Sequence, residues 1–416
     1  MSNVLLALGS NLGDRMLNLE RAVTMLAHDE KITLHKVSSV YETPALLTQD
    51  APANWNLPFC NLAMTIETPL DPISLLDQMQ FIERHIGREP SAKWSPRLID
   101  IDMIAFDNLT IESARLTVPH PHAMRRSFVL APAVEIDPDR ILPGQSATLL
   151  EMKRKLICQL PAWMRIINVT ADSFSGDGML GNAIDQPTGA NYIDVGAEST
   201  RPGAASVDPE EEWRRLEPVL EQLDLTRLLR PRVSIDTRNV ATANRALQLG
   251  VDVINDVSGL GREMLELLSG SMCDVVLMHS LTVPVQRDTV LPADMDPVAA
   301  IRQWFQDRMS ELVSRGIDSS RIILDPGIGF GKTAAQSLQL IGRAREFTDL
   351  GCRVLYGHSR KSFLHLASPL PAAERDIETL AMSVHLADQG VDVLRVHAHD
   401  LHRRFWNTRA LAESQF

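Results

Sequence analysis

The chain has only four cysteines, Cys60, Cys158, Cys273 and Cys352, and no CxxC pair among them. That spacing fits neither a zinc site nor a disulfide framework, and it predicts a reduced, cytoplasmic setting. Long apolar runs are also missing. No segment approaches the ~20 residues of a membrane span, and "MSNVLLALGSN" lacks both the basic leader and the apolar length of a signal peptide, so no membrane association is expected. Nor is there a basic excess: 41 Lys and Arg against 53 Asp and Glu leave a net charge of −12. This argues against a nucleic-acid or anionic-membrane partner, although local basic pockets for phosphates remain open. What the chain does have is 44% hydrophobic and 23% charged residues over 416 positions, the profile of a folded globular protein of two domains.

Up to about residue 140 the pattern is α+β, with a strand at Val4–Leu8, a helix from Asp14 to His28, and strands at Ile32–Tyr41 and Leu62–Glu67. A helix from Asp71 to His85 follows, stopped by Gly87, and then a strand at Ile99–Phe106. The stretch "DPDRILPGQSATLLEMKRKLICQLPAW" shows no clear strand, which places a linker between Gly144 and Trp163 and domains at 1–158 and 164–416.

Beyond it, short apolar runs alternate with helical periodicity: "RIIN", "YIDVG", "RVSIDT", "VDVIND", "DVVLMH", "RIILD", "RVLYGHS" and "VLRVHAH". Eight such units over about 250 residues predict a (β/α)8 TIM barrel, in which strand C-termini line the active site. Asn168, Asp194, Asp236, Asn255, Asp256, His279, Asp325, Ser359, Arg395 and His397 should then converge. The alternative for any one Asp or Asn is that it merely caps the next helix.

In "RLIDIDMIAFD", Asp100 and Asp102 are two residues apart on a strand. Their carboxylates share a face about 6 to 7 Å apart along the chain, and like charges so close repel unless a cation sits between them. Such a pair suits Mg²⁺, which takes one or two carboxylates and fills its shell with water and phosphate oxygens. The alternative is a strand face of salt-bridged aspartates. Arg88, Arg97 and Arg126 supply bidentate donors for phosphates, His120 is a further phosphate donor, and no Walker-type glycine loop is present in this half.

The segments "ALGSNLGDR", "VSSVYETP", "FCNLAM", "KWSPRLIDIDM" and "LTVPHPHAMRRSF" together resemble the 6-hydroxymethyl-7,8-dihydropterin pyrophosphokinases over residues 1 to about 155. The resemblance implies a ferredoxin-like α+β domain, ATP as co-substrate and two Mg²⁺ held by Asp100 and Asp102. It also implies Asn61 and Thr43 bonded to the pterin, Phe59 and Phe128 on its faces, and Gln80, Glu83, Arg88, Arg97, His120 and Arg126 around the nucleotide. The chain departs from that family in a long loop between "ETP" and "FCN" and a short "GREPSAKWSPR", which bear on loop closure and on Trp94.

"DPGIGFGKT" is not a P-loop, since Pro326 stands where GxxxxGK[ST] needs glycine; its glycines would let backbone approach a ligand. With "NVTADSFSGDG", "IDVGAESTRPGA", "SIDT", "VINDVSG", "GHSRKSF" and "LRVHAHD", it resembles dihydropteroate synthase from about Arg165 to the C-terminus. The resemblance implies a pterin pocket of Asp194, Asp236, Asn255, Met278, Asp325 and Lys361. Arg395, His397 and Asn168 through one Mg²⁺ would hold pyrophosphate. Thr200, Arg201, Pro202, Phe330 and Ser359 would receive p-aminobenzoate, hence also its sulfonamide mimics. Family members usually read "TPDSFSDGG"; here the second acid shifts to Asp177, and only about 26 residues separate Asn168 from Asp194, so the first barrel helix is abbreviated. Such barrels commonly pair as homodimers.

The expected whole is a bifunctional folate-pathway transferase. Two alternatives are a barrel that is a pterin-binding methyltransferase, which leaves "ESTRPG" and "SRKS" unexplained, and an inactive scaffold in one half or both.

Overall fold

The computed structural model describes residues 1–47, 51–89, 95–156, 159–169, 189–198, 206–286 and 288–413. The chain divides into two compact units: residues 1–160 with 228–230 and 403–416, and residues 161–227 with 231–402.

In the first unit β1 (Ser2–Ser10), β2 (Thr33–Val37), β4 (Phe59–Thr68) and β5 (Asp100–Phe106) form an antiparallel sheet ordered β2-β4-β1-β5, and β3 (Tyr41–Thr43) pairs with β4. With α1 (Arg15–Ala27) and α2 (Pro72–Ile86) this is the expected ferredoxin-like α+β order. Strand alternation supplies two apolar faces. Val4, Leu6 and Leu8 pack with Leu19, Val23 and Leu26 of α1 and Leu75, Met79 and Ile82 of α2. Leu5, Ala63 and Ile104 turn the other way, onto α3 (Ser127–Ile136) and α4 (Leu149–Arg154). Gly87 closes α2 at φ +108°, a left-handed conformation glycine adopts without a Cβ clash. A hairpin of β6 (Ile111–Glu112) and β7 (Thr117–Val118) follows the sheet.

Two expectations need correction. The strand read as Ile32–Tyr41 is two strands: Ser38 still gives its N–H to Ala63 O at 2.9 Å but takes the Ala63 N–H on its Oγ rather than its carbonyl, also at 2.9 Å, and Ser39 turns its N–H to the buried Glu135 carboxylate at 2.6 Å. The stretch read as linker contains α4, started by a capping box in which Thr148 and Glu151 satisfy each other's backbone N–H.

The second unit is a closed parallel barrel of β8 (Ala162–Asn168), β9 (Tyr192–Gly196), β10 (Arg232–Asp236), β11 (Val253–Asp256), β12 (Asp274–Met278), β13 (Ile322–Asp325), β14 (Arg353–Tyr356) and β15 (Val393–Val396), the expected TIM architecture. A helix follows each strand from β9 onward, among them Pro297–Ser314, Asp376–Asp388 and His399–Glu413. Asp177 and the abbreviated first helix lie outside the described residues, as do Trp94, Thr200, Arg201 and Pro202. No helix among the described residues is long and apolar enough to cross a membrane.

Candidate active sites

The first cavity, about 450 Å³, opens at the end of the sheet where β1, β4 and β5 meet. Register brings its walls together: Gly9 of β1 lies opposite Asn61 of β4 and opposite Asp100 of β5, and Thr43 lies opposite Phe59. Gly9 has a steric role, since a Cβ there would stand 3.2 Å from Asn61 Oδ1 and 3.5 Å from the Phe59 ring. Asn61 Nδ2 donates to Thr43 Oγ1 at 3.0 Å, so two buried polar groups are held beside the ring. Phe128, at the start of α3, also lines the cavity, and the Arg126 guanidinium sits 5.6 Å from its ring centroid.

Asp100 and Asp102 lie on the face of β5 toward this cavity, as their spacing predicted. Arg88 and Arg97 each hold one oxygen of Asp100 at 2.7 Å, whereas no hydrogen bond reaches the Asp102 carboxylate among the described residues. Burial, with Asp100 and Glu83 nearby, pushes the Asp102 carboxyl up to about 7. A cation between the two acids would remove that penalty. Among the described residues no three His, Cys, Asp or Glu side chains gather as a metal cage.

His120 is anchored beside β5 by its N–H to Ile104 O at 3.1 Å. Burial and the Arg126 charge lower its imidazole to about 4, so it is neutral at pH 7. Gln80 and Glu83 do not line the cavity. Glu83 is 7% exposed, accepts the Ile101 N–H at 2.8 Å and pairs with Arg88, so it sits behind the cavity and orients that arginine. Asn11 was missed: its Oδ1 accepts from Arg97 N at 2.8 Å and its own N–H donates to Arg97 O at 3.2 Å. The "GSN" after the first strand was the available signal.

The second cavity, about 760 Å³, lies at the C-terminal mouth of the barrel. Asn168, Asp236, Phe330, Ser359, Lys361, Arg395 and His397 all line it. Asp194, Asn255, Met278 and Asp325 are buried beneath it, at 0 to 5% exposure. Arg395 ties the two layers, donating from Nε to Asp194 at 2.6 Å and from a terminal nitrogen to Asp236 at 2.9 Å. Ser234 Oγ and Asn255 Nδ2 also donate to Asp194, at 2.6 and 3.2 Å. Burial, with Asp194 near, raises Asp236 to about 7 even though Arg395 opposes it. Lys361 is lowered to about 8 by burial, and its Nζ lies 4.7 Å from the Phe330 centroid.

Asp256 and His279 do not join the site. Asp256 spends its oxygens on the Ser258 and Leu260 N–H groups of the turn that precedes the helix Arg262–Ser269, whose N-cap is Gly261 rather than this acid. His279 faces inward to Lys332, whose Nζ lies 2.8 Å from both its Nδ1 and its carbonyl. Lys332, which also lines the cavity, has its only sequence signal in "GFGK", a segment in which the glycines draw the attention. Two glycines of that loop serve this packing, since a Cβ on Gly327 would fall 2.0 Å from His279 O and one on Gly331 within 2.6 Å of Leu281, whereas Gly329 lines the cavity.

Residues 5–138 match the family model described as 7,8-dihydro-6-hydroxymethylpterin-pyrophosphokinase, and residues 164–397 match that of pterin binding enzymes. A folate synthesis bifunctional protein of Chlamydia muridarum is 37% identical over 435 residues, covering 96% of each chain. A mitochondrial one of Arabidopsis thaliana is 31% identical, covering 95% of this chain and 80% of that one. Among solved structures, dihydropteroate synthase from Anaplasma phagocytophilum with bound 6-hydroxymethylpterin-monophosphate is 37% identical with a TM-score of 0.54, covering 61% of this chain and 99% of that one. The Yersinia pestis enzyme in a sulfonamide drug complex is 33% identical with a TM-score of 0.54, covering 61% and 93%. With both family models matched in tandem and bifunctional relatives aligned along nearly the whole length, the chain belongs to the folate synthesis bifunctional family, a pyrophosphokinase domain followed by a dihydropteroate synthase barrel.

Proposed function

We propose that the N-terminal cavity transfers pyrophosphate from ATP to 6-hydroxymethyl-7,8-dihydropterin, releasing AMP, and that the barrel joins the product to p-aminobenzoate, giving 7,8-dihydropteroate and pyrophosphate. The observation that carries this reading is the presence, in one chain, of two cavities that each set acid or amide groups beside arginine or lysine. Both match the needs of a flat heterocycle with phosphates attached.

In the first site Phe59 and Phe128 would flank the pterin, and Thr43 and Asn61 would bond its edge. Arg88, Arg97 and Arg126 would grip phosphates bidentately, with His120 as a neutral N–H donor. Glu83 would act through Arg88 rather than on the nucleotide. Mg²⁺, held by Asp100 and Asp102, would supply neutralisation of triphosphate charge.

In the barrel Asp236, Asn255, Asp325 and Lys361 would bind the amino-pyrimidinone edge and ring acceptors. Arg395 and His397, with Asn168 as one oxygen ligand to a pyrophosphate-bound Mg²⁺, would hold the leaving group. The C9–O bond breaks with its electron pair going to pyrophosphate, the arylamine nitrogen bonds to C9, and the amine proton passes to solvent. No protein nucleophile is needed; positioning and charge stabilisation carry the reaction. Phe330 and Ser359, together with Thr200, Arg201 and Pro202, would receive p-aminobenzoate, and sulfonamides should compete there. Domain limits of 1–158 and 164–416, pairing of barrels in a homodimer and a cytoplasmic location belong to the same proposal; the buried thiols Cys60 and Cys273 support a reducing compartment. The methyltransferase alternative is set aside, because the solved barrels above are dihydropteroate synthases.

The test is to separate the half-reactions. Asp102→Ala should abolish AMP formation yet make dihydropteroate from supplied pterin pyrophosphate, and Lys361→Ala should do the reverse. Parallel loss of both activities in either variant would contradict two independent sites.

A further inference from the structure

Behind the segment that carries Ser359 and Lys361, on the side away from the cavity, lie three fully buried polar residues that the mechanism does not use. They are His358, just past β14, Ser383 on the helix Asp376–Asp388, and His402 on the last helix, each 0% exposed. We infer that His358, Ser383 and His402 form a directed hydrogen-bond relay that positions Ser359 and Lys361 for the condensation. This rests on the reading of the barrel as a synthase.

The direction of each bond follows from the acceptors. His402 Nδ1 lies 2.8 Å from the Ala398 carbonyl, which only accepts, so that nitrogen carries the proton. In a neutral imidazole Nε2 is then an acceptor; the Ser383 hydroxyl, with one proton to share between this nitrogen at 2.9 Å and the Thr379 carbonyl at 3.0 Å, is the donor that can satisfy it. Ser383 Oγ is left to accept, and His358 Nε2, 2.9 Å from it and 3.2 Å from the Thr379 carbonyl, carries the ring's proton, its Nδ1 lying farther, 3.4 Å, from the Tyr356 carbonyl. Both rings are neutral, since burial lowers His358 to about 4 and lowers His402 as well. The Trp163 ring, 5.4 Å from His402, closes the far end.

The same helix binds the segment at three more points. Arg360 N–H donates to Thr379 Oγ1 at 3.0 Å, the Arg360 guanidinium holds both Asp376 oxygens at 2.7 and 2.8 Å, and Arg375 donates to Lys361 O at 3.3 Å. On the cavity side Ser359 Oγ meets His397 Nδ1 at 2.9 Å, and Lys361 Nζ reaches Ile328 O. The segment is thus a strap, fixed from behind and presenting two side chains in front. None of the relay residues lines the cavity, so none touches substrate; an apolar trio of equal volume would pack the same space without fixing one orientation.

The experiment uses the full chain, supplied pterin pyrophosphate and varied p-aminobenzoate. Ser383→Ala should raise the KM for p-aminobenzoate and lower kcat/KM by about tenfold or more, with AMP formation at the first site unchanged. His402→Gln, whose amide accepts from Ser383 and donates to Ala398, should stay near wild type. In the wild-type chain ¹⁵N NMR should show His358 protonated on Nε2 and His402 on Nδ1, a readout available whether or not Ser383→Ala folds. An unchanged KM with activity falling only in step with the folded fraction, or the opposite tautomers, would overturn the relay. A wild-type chain that made no dihydropteroate would instead sink the reading of the barrel.

Discussion

Replacing Arg395 with Ala should separate its structural from its chemical contribution. Its guanidinium binds Asp194, which is wholly buried, and Asp236, so removal strands two carboxylates in the barrel interior. Breaking a buried ion pair from one side costs about 3 to 5 kcal/mol. For a domain of this size that corresponds to a fall in Tm of about 6 to 20 °C. Asp236 already has its carboxyl raised to about 7, so at low pH it escapes the penalty by taking a proton. A carboxyl raised in the fold destabilises it as pH rises, and the Arg395→Ala deficit should therefore be larger at pH 8 than at pH 6. Adding Asp194→Asn should recover part of the Tm but none of the dihydropteroate synthesis. Calorimetry of the full chain reads the first effect and product formation the second. A wild-type Tm in Arg395→Ala, or recovered activity in the double variant, would show that Arg395 does not balance these two buried acids.

Two further outcomes follow from the same geometry. Gly9→Ala places a methyl group against Asn61 and Phe59, a cost of about 1 to 3 kcal/mol, so the KM for hydroxymethyldihydropterin should rise while condensation is untouched; steady-state assays of both reactions check this. His358, lowered to about 4 from 6.5, resists protonation that the unfolded chain accepts, so its stabilising contribution is lost as pH falls from 6.5 toward 4. Between pH 7 and pH 5 the wild-type advantage over His358→Asn in urea unfolding should shrink by about 2 kcal/mol, and a constant difference would count against a neutral buried imidazole.

Much of this was legible in the sequence because it depends on period and register. Two residues apart on a strand meant one face, and Asp100 and Asp102 do share the cavity wall. Eight apolar runs with polar ends meant a barrel whose mouth holds Asn168, Asp236, Lys361, Arg395 and His397. What stayed hidden depends on partners distant in the chain. Asp256 and Asp236 look alike as strand-end acids, but one caps its own turn and the other meets an arginine 159 residues away. Glu83 read as a ligand because nothing local announced that Ile101 N–H and Arg88 would both claim its Oε1. Gly327 and Gly331 read as ligand-facing, whereas it is the loop after β12 that presses against them.

The most direct test of the whole account is a single incubation of the purified chain with ATP, Mg²⁺, 6-hydroxymethyl-7,8-dihydropterin and p-aminobenzoate. AMP and 7,8-dihydropteroate should accumulate together; AMP without dihydropteroate, or neither product, would contradict two working sites in one chain.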